Sequence, residues 1–207
     1  MLNVVAVQVG NYCGRGAEYA QRLFDGFARH LPQTEYKFFC LTDDPKTLPP
    51  RVEPIEPDPG LNGWWNKLSL FKPGVLPKGR VLFSDLDAMP IGDLTAIASY
   101  QGPFAAIRDF YNHVHLQSAL MAWEAGTMGH IWEGWNNEGR PQTDPGGDQV
   151  VIERWQGKAD YWQDILPGQV MGFKDCRRLG GIPSCARMIC FHGRPRPHEI
   201  KFNLMEF

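Results

Sequence analysis

Two aspartates, Asp85 and Asp87, directly follow the apolar run 80–84 and are separated by one residue. Residues two apart on an extended segment share a face, so both carboxylates can point into one crevice. Adjacent carboxylates repel each other unless a cation lies between them. Magnesium or manganese binds such oxygens and keeps coordination sites free for a diphosphate. The pair therefore predicts a divalent-metal site, in competition with a solvated turn in which Asp85 caps the next segment.

A second group of polar residues lies at residues 191–197, with the sequence Phe-His-Gly-Arg-Pro-Arg-Pro. His192, directly after an apolar strand, can offer a ring nitrogen to a divalent metal. Gly193 lets the backbone approach a phosphate, and arginines spaced by prolines offer forked donors to phosphate oxygens. A lone histidine in such a place is more often structural. The basic run, however, has no obvious structural purpose and needs an anion to balance it.

Alternating strand and helix patterns position these residues. A continuous apolar run at 2–9, a glycine-containing loop at 10–16, helical spacing over 17–31 and a strand at 36–41 predict a βαβ unit. Further strands are expected at 51–55, 80–84, 103–107, 116–123 and 187–191, and helices at 64–72, 93–100, 127–135 and 147–155. The predicted fold class is α/β, with a mixed, mostly parallel sheet flanked by helices. Asp85 then lies at the carboxyl end of a strand, where such sheets bind ligands.

Size and composition exclude several classes. A chain of 207 residues predicts one domain, and 43% hydrophobic with 21% charged residues is ordinary for a globular protein. A net charge of −2 recruits neither nucleic acid nor an acidic membrane. The first apolar run stops at Gln8, too short for a signal peptide or a membrane span. Five cysteines without a C-x-x-C pair indicate free thiols, and we expect a cytoplasmic protein.

The sequence contains seven tryptophans, which is many for this length. Trp64, Trp65 and Trp135 lie beside glycine or asparagine. Core filling is the simplest interpretation of each. A sugar-stacking platform is the alternative, because the C–H faces of pyranoses pack well on indole.

Together these motifs resemble the bacterial GT-A glycosyltransferases related to glycosyltransferase family 8, the galactosyltransferase and glycogenin-like group. That group has a D-x-D motif at a strand end and a C-terminal histidine-glycine stretch with a basic residue and a proline. The resemblance spans most of the chain, including residues 7–15, 63–67 and 147–149. It implies one GT-A domain over 1–207, with a nucleotide-binding half at about 1–100 and a donor-sugar and acceptor half at about 101–207.

The resemblance also implies site residues. Metal ligands would be Asp85, Asp87 and His192, although Asp85 could instead contact the ribose. Asp148 and Gln149 would lie beside the anomeric carbon as catalytic residues. The nucleotide-sugar would be held by Val7, Val9, Tyr12, Lys67, Asp85, Gln117, Ser118, Gly193 and Arg196. Within that set, the first strand and loop would form the uracil and ribose pocket, and Arg196 replaces a lysine that the family places on the diphosphate. Two departures are Gln117, in place of an asparagine, and His198, in place of a tryptophan.

The implied activity is metal-dependent transfer of a sugar from a nucleotide-diphospho-sugar, expected to be UDP-linked, to a glycan or glycolipid acceptor. The implied metal is Mn²⁺ or Mg²⁺. The resemblance implies retention at the anomeric carbon, whereas an inverting enzyme would use Asp148 as a base. The chain has no predicted membrane span, but peripheral membrane association is compatible with a glycolipid acceptor.

Two alternatives remain open. The first is a non-catalytic module that binds nucleotide or glycan. The second is a phosphatase that uses the D-x-D motif as a nucleophile, which fits poorly. Met89 stands where such phosphatases have threonine or valine, and Ile152 stands where their later motif has an aspartate.

Overall fold

The computed structural model describes residues 1–200, which contain ten strands and six helices. The strands are β1 (Leu2–Gln8), β2 (Tyr36–Thr42), β3 (Val52–Ile55), β4 (Arg80–Ser84), β5 (Ala88–Pro90), β6 (Phe104–Arg108), β7 (Leu116–Glu124), β8 (Asp160–Tyr161), β9 (Val170–Gly172) and β10 (Met188–Cys190). The helices are α1 (Gly16–His30), α2 (Thr95–Ala98), α3 (Gly129–Asn137), α4 (Asp148–Trp155), α5 (Trp162–Ile165) and α6 (Phe173–Arg178). Segments of 3₁₀ helix span Tyr12–Gly14, Pro45–Thr47, Gly63–Phe71 and Pro197–Glu199.

The main sheet has seven strands in the order β3-β2-β1-β4-β7-β6-β8. Strand β1 is an interior strand and pairs in parallel with both β2 and β4, the central strand. Strand β7 runs antiparallel to its neighbours β4 and β6, while β3 and β8 add parallel pairs at the two edges. The predicted α/β class with a mixed, mostly parallel sheet is confirmed. Because β7 is antiparallel, its first residues lie at the same sheet edge as the last residues of β4.

Both faces of the main sheet are covered, which explains the continuous apolar run of β1. On one face α1 packs Leu23 and Phe27 against the sheet. On the other face the 3₁₀ segment Gly63–Phe71, α3 and α4 form a second core that contains Trp65 and Trp135. Those two indoles stack with ring centroids 5.9 Å apart and an angle of 8° between the planes.

A second, three-stranded sheet has the order β5-β10-β9 and was not predicted. Strand β5 begins directly after Asp87, and β10 ends two residues before His192. They pair antiparallel, with Ile189 opposite Met89. Beyond the paired residues, the backbone N–H of Phe191 donates to the carbonyl oxygen of Asp87 at 3.1 Å. The small sheet therefore brings the two polar motifs of the sequence together.

The predicted strands, and the helices expected at 17–31, 127–135 and 147–155, are confirmed to within about two residues at each end, whereas the helices expected at 64–72 and 93–100 differ. Residues 63–71 form a 3₁₀ segment in place of the helix expected at 64–72. Asp93 accepts a hydrogen bond from the backbone of Thr95 at 2.9 Å, but the helix after it is only α2. Strands β5, β8 and β9 and helices α5 and α6 are too short to leave a periodic pattern. Among residues 1–200, no helix is long and apolar enough to cross a bilayer.

Gly26 in α1 provides a test of how α1 meets the small sheet. A Cβ atom at this position would lie 2.9 Å from Cγ of Pro90 in β5, whose ring cannot turn away. Overpacking typically costs about 1–3 kcal/mol, which exceeds the roughly 1 kcal/mol that alanine gains over glycine in a helix. We expect Gly26→Ala to lower the melting temperature by several degrees. The exposed Arg29→Ala variant of the same helix should change it little, and an unchanged or higher melting temperature for Gly26→Ala would contradict the close packing.

Candidate functional site

A cleft of about 860 Å³ opens at the carboxyl ends of β1 and β4. Its walls come from the first loop, the 3₁₀ segment Gly63–Phe71, the D-x-D turn, the start of β7, the loop before α4 and the residues after β10. The lining residues are Val7, Gln8, Val9, Asn11, Tyr12, Cys13, Gly63, Trp64, Lys67, Asp85, Leu86, Asp87, Gln117, Pro145, Gly146, Gly147, Asp148, Phe191, His192, Gly193 and Arg196.

The D-x-D turn holds its two carboxylates against different partners. The backbone N–H of Asp85 donates to the carbonyl of Ala119 in β7 at 2.8 Å, and the N–H of Ala88 donates to the carbonyl of Asp85 at 3.0 Å. From this turn Asp85 reaches Lys67, with Nζ and Oδ1 2.9 Å apart. Asp87 reaches the other side of the cleft, where its Oδ2 lies 2.7 Å from the guanidinium of Arg196.

Lys67 is buried and joins three elements. Besides Asp85, its Nζ contacts Oδ2 of Asp148 at 2.9 Å and donates to the hydroxyl of Ser118 at 3.0 Å. The Ser118 hydroxyl donates in turn to Oδ2 of Asp148 at 2.9 Å. Burial alone would lower the pKa of Lys67, but Asp148 and Asp85 outweigh it and raise that pKa above its usual value. Lys67 therefore remains an ammonium inside the protein. We call Lys67, Asp85, Ser118 and Asp148 the lysine cluster.

The second group consists of Tyr12, Asp87 and Arg196, which we call the arginine cluster. The Tyr12 hydroxyl donates to Oδ2 of Asp87 at 2.6 Å and accepts from the guanidinium of Arg196. The guanidinium carbon also lies 5.1 Å from the centroid of the tyrosine ring. Burial, and then the charge of Asp87, raise the pKa of Tyr12 far above its usual value, so the phenol remains a donor.

Helix α1 also contacts the chain at the end of the terminal motif, residues 191–198. The hydroxyl of Tyr19, a fully buried residue, lies 2.6 Å from Nδ1 of His198 in a hydrogen bond. The rings of Tyr12 and Tyr19 meet edge to face, with centroids 5.3 Å apart. His198, which departs from the family pattern, thus provides a polar link between the terminal motif and α1.

Among the described lining residues, the carboxylates outnumber the cationic side chains, with Asp85, Asp87 and Asp148 facing Lys67 and Arg196. Burial raises the pKa of Asp85 to about 6, although about a third of its side chain faces the cleft. The charge of Lys67 opposes this rise in pKa, whereas the charges of Asp87 and Asp148 add to it. Burial also raises the pKa of Asp87 against the lowering by Tyr12 and Arg196. The site therefore has a surplus of negative charge, which an additional cation would relieve.

His192 has the chemistry of a metal ligand. Its Nδ1 is buried and has no hydrogen-bond partner within residues 1–200, while its ring stacks on Phe110 with centroids 5.0 Å apart. Burial and the nearby Lys174 lower its pKa, which favours the neutral imidazole. No three His, Cys, Asp or Glu side chains of the described part are grouped closely enough to hold a metal as they stand. The donor types fit a divalent cation, but Asp87 is turned toward Tyr12 and Arg196.

The structure brings nearly all predicted site residues together in the cleft. Val7, Val9, Gln117 and Gly193 line it along with the residues of the two clusters, and Oε1 of Gln117 is buried without a partner in residues 1–200. Ser118 lies behind the wall as part of the lysine cluster. Gln149 follows Asp148 in α4 and is half-buried, but it is not among the lining residues.

Two features were not foreseen from the sequence. Phe110 and Tyr111 enclose the His192 ring, and they come from the connection between β6 and β7, where no pattern marks them. Tyr12, expected to contact the nucleotide, lines the cleft and also donates to Asp87. The sequence did not predict the contact between Tyr12 and Asp87, because 75 residues separate them.

The charge surplus leads to a stability prediction. In buffer without divalent metal at pH 7.5, Asp85→Asn removes one repelling carboxylate but keeps an acceptor for Lys67. We expect it to raise the melting temperature, with about 1 kcal/mol corresponding to roughly 2–4 °C at this size. The control is Asp164→Asn, at an exposed pair with Arg108, which should change little. A lower melting temperature for Asp85→Asn would mean that Lys67 needs both charged partners.

Comparison with known proteins places the fold. No protein-family model matches the chain, and no curated protein matches it by sequence. Solved structures do match. An active-site mutant of LgtC superposes with a TM-score of 0.72 at 11% identity, covering 99% of this chain and 93% of that one. The galactosyltransferase LgtC in complex with donor and acceptor sugar analogs superposes with a TM-score of 0.64 at 13% identity, covering 94% and 88%.

A third similar structure is the apo-form glycosyltransferase GlyE from Streptococcus pneumoniae TIGR4, with a TM-score of 0.68 and 14% identity. The match covers 97% of this chain and 56% of GlyE. At such low identities the similarity concerns the fold. This chain therefore has the GT-A glycosyltransferase fold.

Proposed function

We propose that this chain is a metal-dependent glycosyltransferase that moves a sugar from a nucleotide-diphospho-sugar, UDP-linked, to a glycan or glycolipid acceptor. The observation that carries the proposal is the meeting of the D-x-D motif with the terminal histidine-glycine-arginine run in one cleft. Oδ2 of Asp87 lies 2.7 Å from Nη1 of Arg196. The fold shared with LgtC, a galactosyltransferase solved with donor and acceptor sugar analogs, supports the same class of reaction.

The arginine cluster is suited to a diphosphate. Arg196 offers forked donors, and Gly193, a lining residue without a side chain, would let a phosphate approach the backbone. Asp85, Asp87 and His192 would hold Mn²⁺ or Mg²⁺, which when bound would neutralise charge on the departing nucleoside diphosphate. Val7, Val9 and the loop around Tyr12 would accept the base and ribose at the end of β1. In this assignment residues 1–100 supply most nucleotide contacts.

The lysine cluster is suited to the donor sugar. Lys67 and Asp148 present fixed charges beside Gln117, whose Oε1 has no partner among residues 1–200 and would accept from a sugar hydroxyl. Because these groups are locked to one another, they need little reorganisation as charge develops at the anomeric carbon. Gln149 would join this wall only after a small movement at the start of α4. Residues 101–200 then supply most sugar contacts.

The proposed transfer occurs with retention. The bond between the anomeric carbon and the diphosphate oxygen breaks, a bond to the acceptor oxygen forms, and the leaving phosphate takes the acceptor's proton. Oδ2 of Asp148 already accepts from Lys67 and from Ser118, which supports an orienting role for this carboxylate over that of a general base. The five unpaired cysteines of the described part support a cytoplasmic setting.

A thermal-shift measurement tests the donor and metal assignment. UDP should raise the melting temperature only when Mn²⁺ or Mg²⁺ is present, because ligand binding to the folded state stabilises it. Asp87→Ala should abolish this rise, since it removes a proposed metal ligand and a partner of Arg196. Asp25→Ala, at an exposed position in α1, is the matched control and should keep it. If UDP gave no metal-dependent rise with the unaltered protein, the proposal would be wrong.

Turnover separates an enzyme from a binding module. We expect slow, metal-dependent release of UDP from UDP-galactose or UDP-glucose in the absence of an acceptor, measured by a coupled UDP assay. A non-catalytic module would bind UDP yet release none from either donor. Turnover of p-nitrophenyl phosphate would instead favour the phosphatase alternative.

A further inference from the structure

Trp64 is the exposed member of the seven tryptophans, all of which lie in the described residues. Its exposed fraction is 64%, whereas Trp65 is 5% exposed and Trp135 is fully buried. An indole presents a large apolar surface, and leaving most of it in water forgoes the stabilisation that burial would give. The neighbouring Trp65 shows that this segment can bury an indole. The exposed indole of Trp64 is therefore available to a ligand that enters the cleft.

The 3₁₀ geometry of Gly63–Phe71 places Trp64 on the face that carries Lys67. Side chains three residues apart eclipse one another in a 3₁₀ helix, so Trp64 and Lys67 lie in one row and Trp65 and Leu68 in the next. The second row is buried in the core. In the first row Trp64 and Lys67 line the cleft, whereas Leu70, three residues further on, is buried.

The loop before α4 lies directly against the indole. A Cβ atom on Gly147 would lie 3.1 Å from Nε1 of Trp64, so the indole packs closely on the Gly147 backbone and would have to shift slightly to admit a side chain there. Gly147 also has a φ of 67°, which favours glycine, and it precedes Asp148 of the lysine cluster. Trp64 thus belongs to the sugar end of the cleft and not to the arginine cluster.

Hydrogen bonds connect the segment that precedes Trp64 to the loop that precedes α4. The backbone N–H of Asn62 donates to Oε1 of Gln142 at 2.9 Å, and Nε2 of Gln142 donates to the carbonyl of Gly60 at 2.8 Å. Arg140 contacts Asp58 at 3.4 Å in the same region. These contacts tie the segment before Trp64 to the segment before Pro145, so the backbone that carries the exposed indole is held at a defined place.

We propose that Trp64 is the acceptor platform, on which the apolar C–H face of an acceptor pyranose stacks with a hydroxyl directed toward the anomeric carbon of the donor. This inference rests on the proposed function. The donor sugar needs the polar groups of the lysine cluster, and the base and ribose need the end of β1. Of the exposed large apolar side chains among residues 1–200, Trp64 is the one that lines the cleft.

The surroundings of Trp64 favour a single sugar ring over a membrane or a protein surface. The other exposed large apolar side chains in residues 1–200 are Met1, Tyr111, Val114, Ile165 and Leu179, and none of them lines the cleft. An extended apolar partner would require a continuous patch. Trp64 is instead bordered by Gly146, Gly147 and polar groups, which suits a ligand with one apolar face and a hydroxylated rim.

The first test observes the indole directly. Protein labelled with ¹⁵N at tryptophan should give one Nε1–H resonance for each of the seven indoles, and Trp64→Phe identifies the signal of Trp64. In the presence of UDP and Mg²⁺, methyl glycosides of glucose, galactose, mannose and N-acetylglucosamine in both anomeric forms are titrated to tens of millimolar. At least one should shift the Trp64 signal saturably. Sorbitol, which lacks a fixed ring face, should not.

The outcomes of this titration separate the inference from the proposed function. If UDP with Mg²⁺ stabilises the protein but no pyranoside shifts the Trp64 signal, the acceptor platform is wrong and the donor site stands. If UDP with Mg²⁺ has no effect on the melting temperature, the proposed function fails and the platform fails with it.

The second test is kinetic and uses the pyranoside that gives the largest shift. Trp64→Ala should raise KM for that pyranoside about tenfold in transfer from the UDP-sugar, as expected for loss of an aromatic contact. Trp64→Phe keeps a ring and should restore most of the affinity. Leu179→Ala removes an exposed side chain outside the cleft and should match the unaltered protein. An unchanged pyranoside KM in Trp64→Ala, or a rise confined to the KM for the UDP-sugar, would overturn the assignment.

Discussion

The site depends on the pairing of two three-residue strands, β5 and β10. These strands hold Asp87 and His192 side by side although about half of the chain separates them. Their paired residues Ala88 and Cys190 are fully buried, and Phe191 extends the contact by donating to the Asp87 carbonyl. A slip of one residue would turn each side chain to the opposite face of the sheet. The packing of α1 on Pro90, and of Phe173 of α6 in one core cluster with Met89 and Ile189, supports this register.

The buried ammonium of Lys67 has a comparable effect on the other side of the cleft. It connects a 3₁₀ segment, the end of β4, the start of β7 and the start of α4 through its contacts with Asp85, Ser118 and Asp148. A buried ion pair contributes little net stability, but removing one partner leaves a charge without compensation. The lysine cluster therefore contributes mainly by fixing the orientation of its charged side chains. Charges that are already fixed do not have to be rearranged during a reaction that moves charge onto a leaving group.

The sequence was most informative where a pattern repeats or a motif is local. The long strands β1, β2 and β7 and helix α1 follow from hydrophobic periodicity, and the residues that the resemblance singled out for the proposed metal and diphosphate contacts do line one cleft. Strands of two or three residues carry no periodicity, and tertiary contacts alone determine them. The same limit applies to the site. The contact between Tyr12 and Asp87 depends on pairing between distant segments. The 3₁₀ geometry of Gly63–Phe71 determines which of the two adjacent tryptophans, Trp64 and Trp65, faces water.

The link between Tyr19 of α1 and His198 has a consequence for biosynthesis. During translation, β1, α1 and β4 leave the ribosome long before β10 and the residues after it. Until then Tyr12 and Asp87 lack their contacts with Arg196, and the small sheet lacks its middle strand β10. Contacts between such distant segments form late and slowly. A nascent chain would therefore acquire most of its main sheet before its cleft, and the cleft would be complete only when residues 191–198 have docked onto α1.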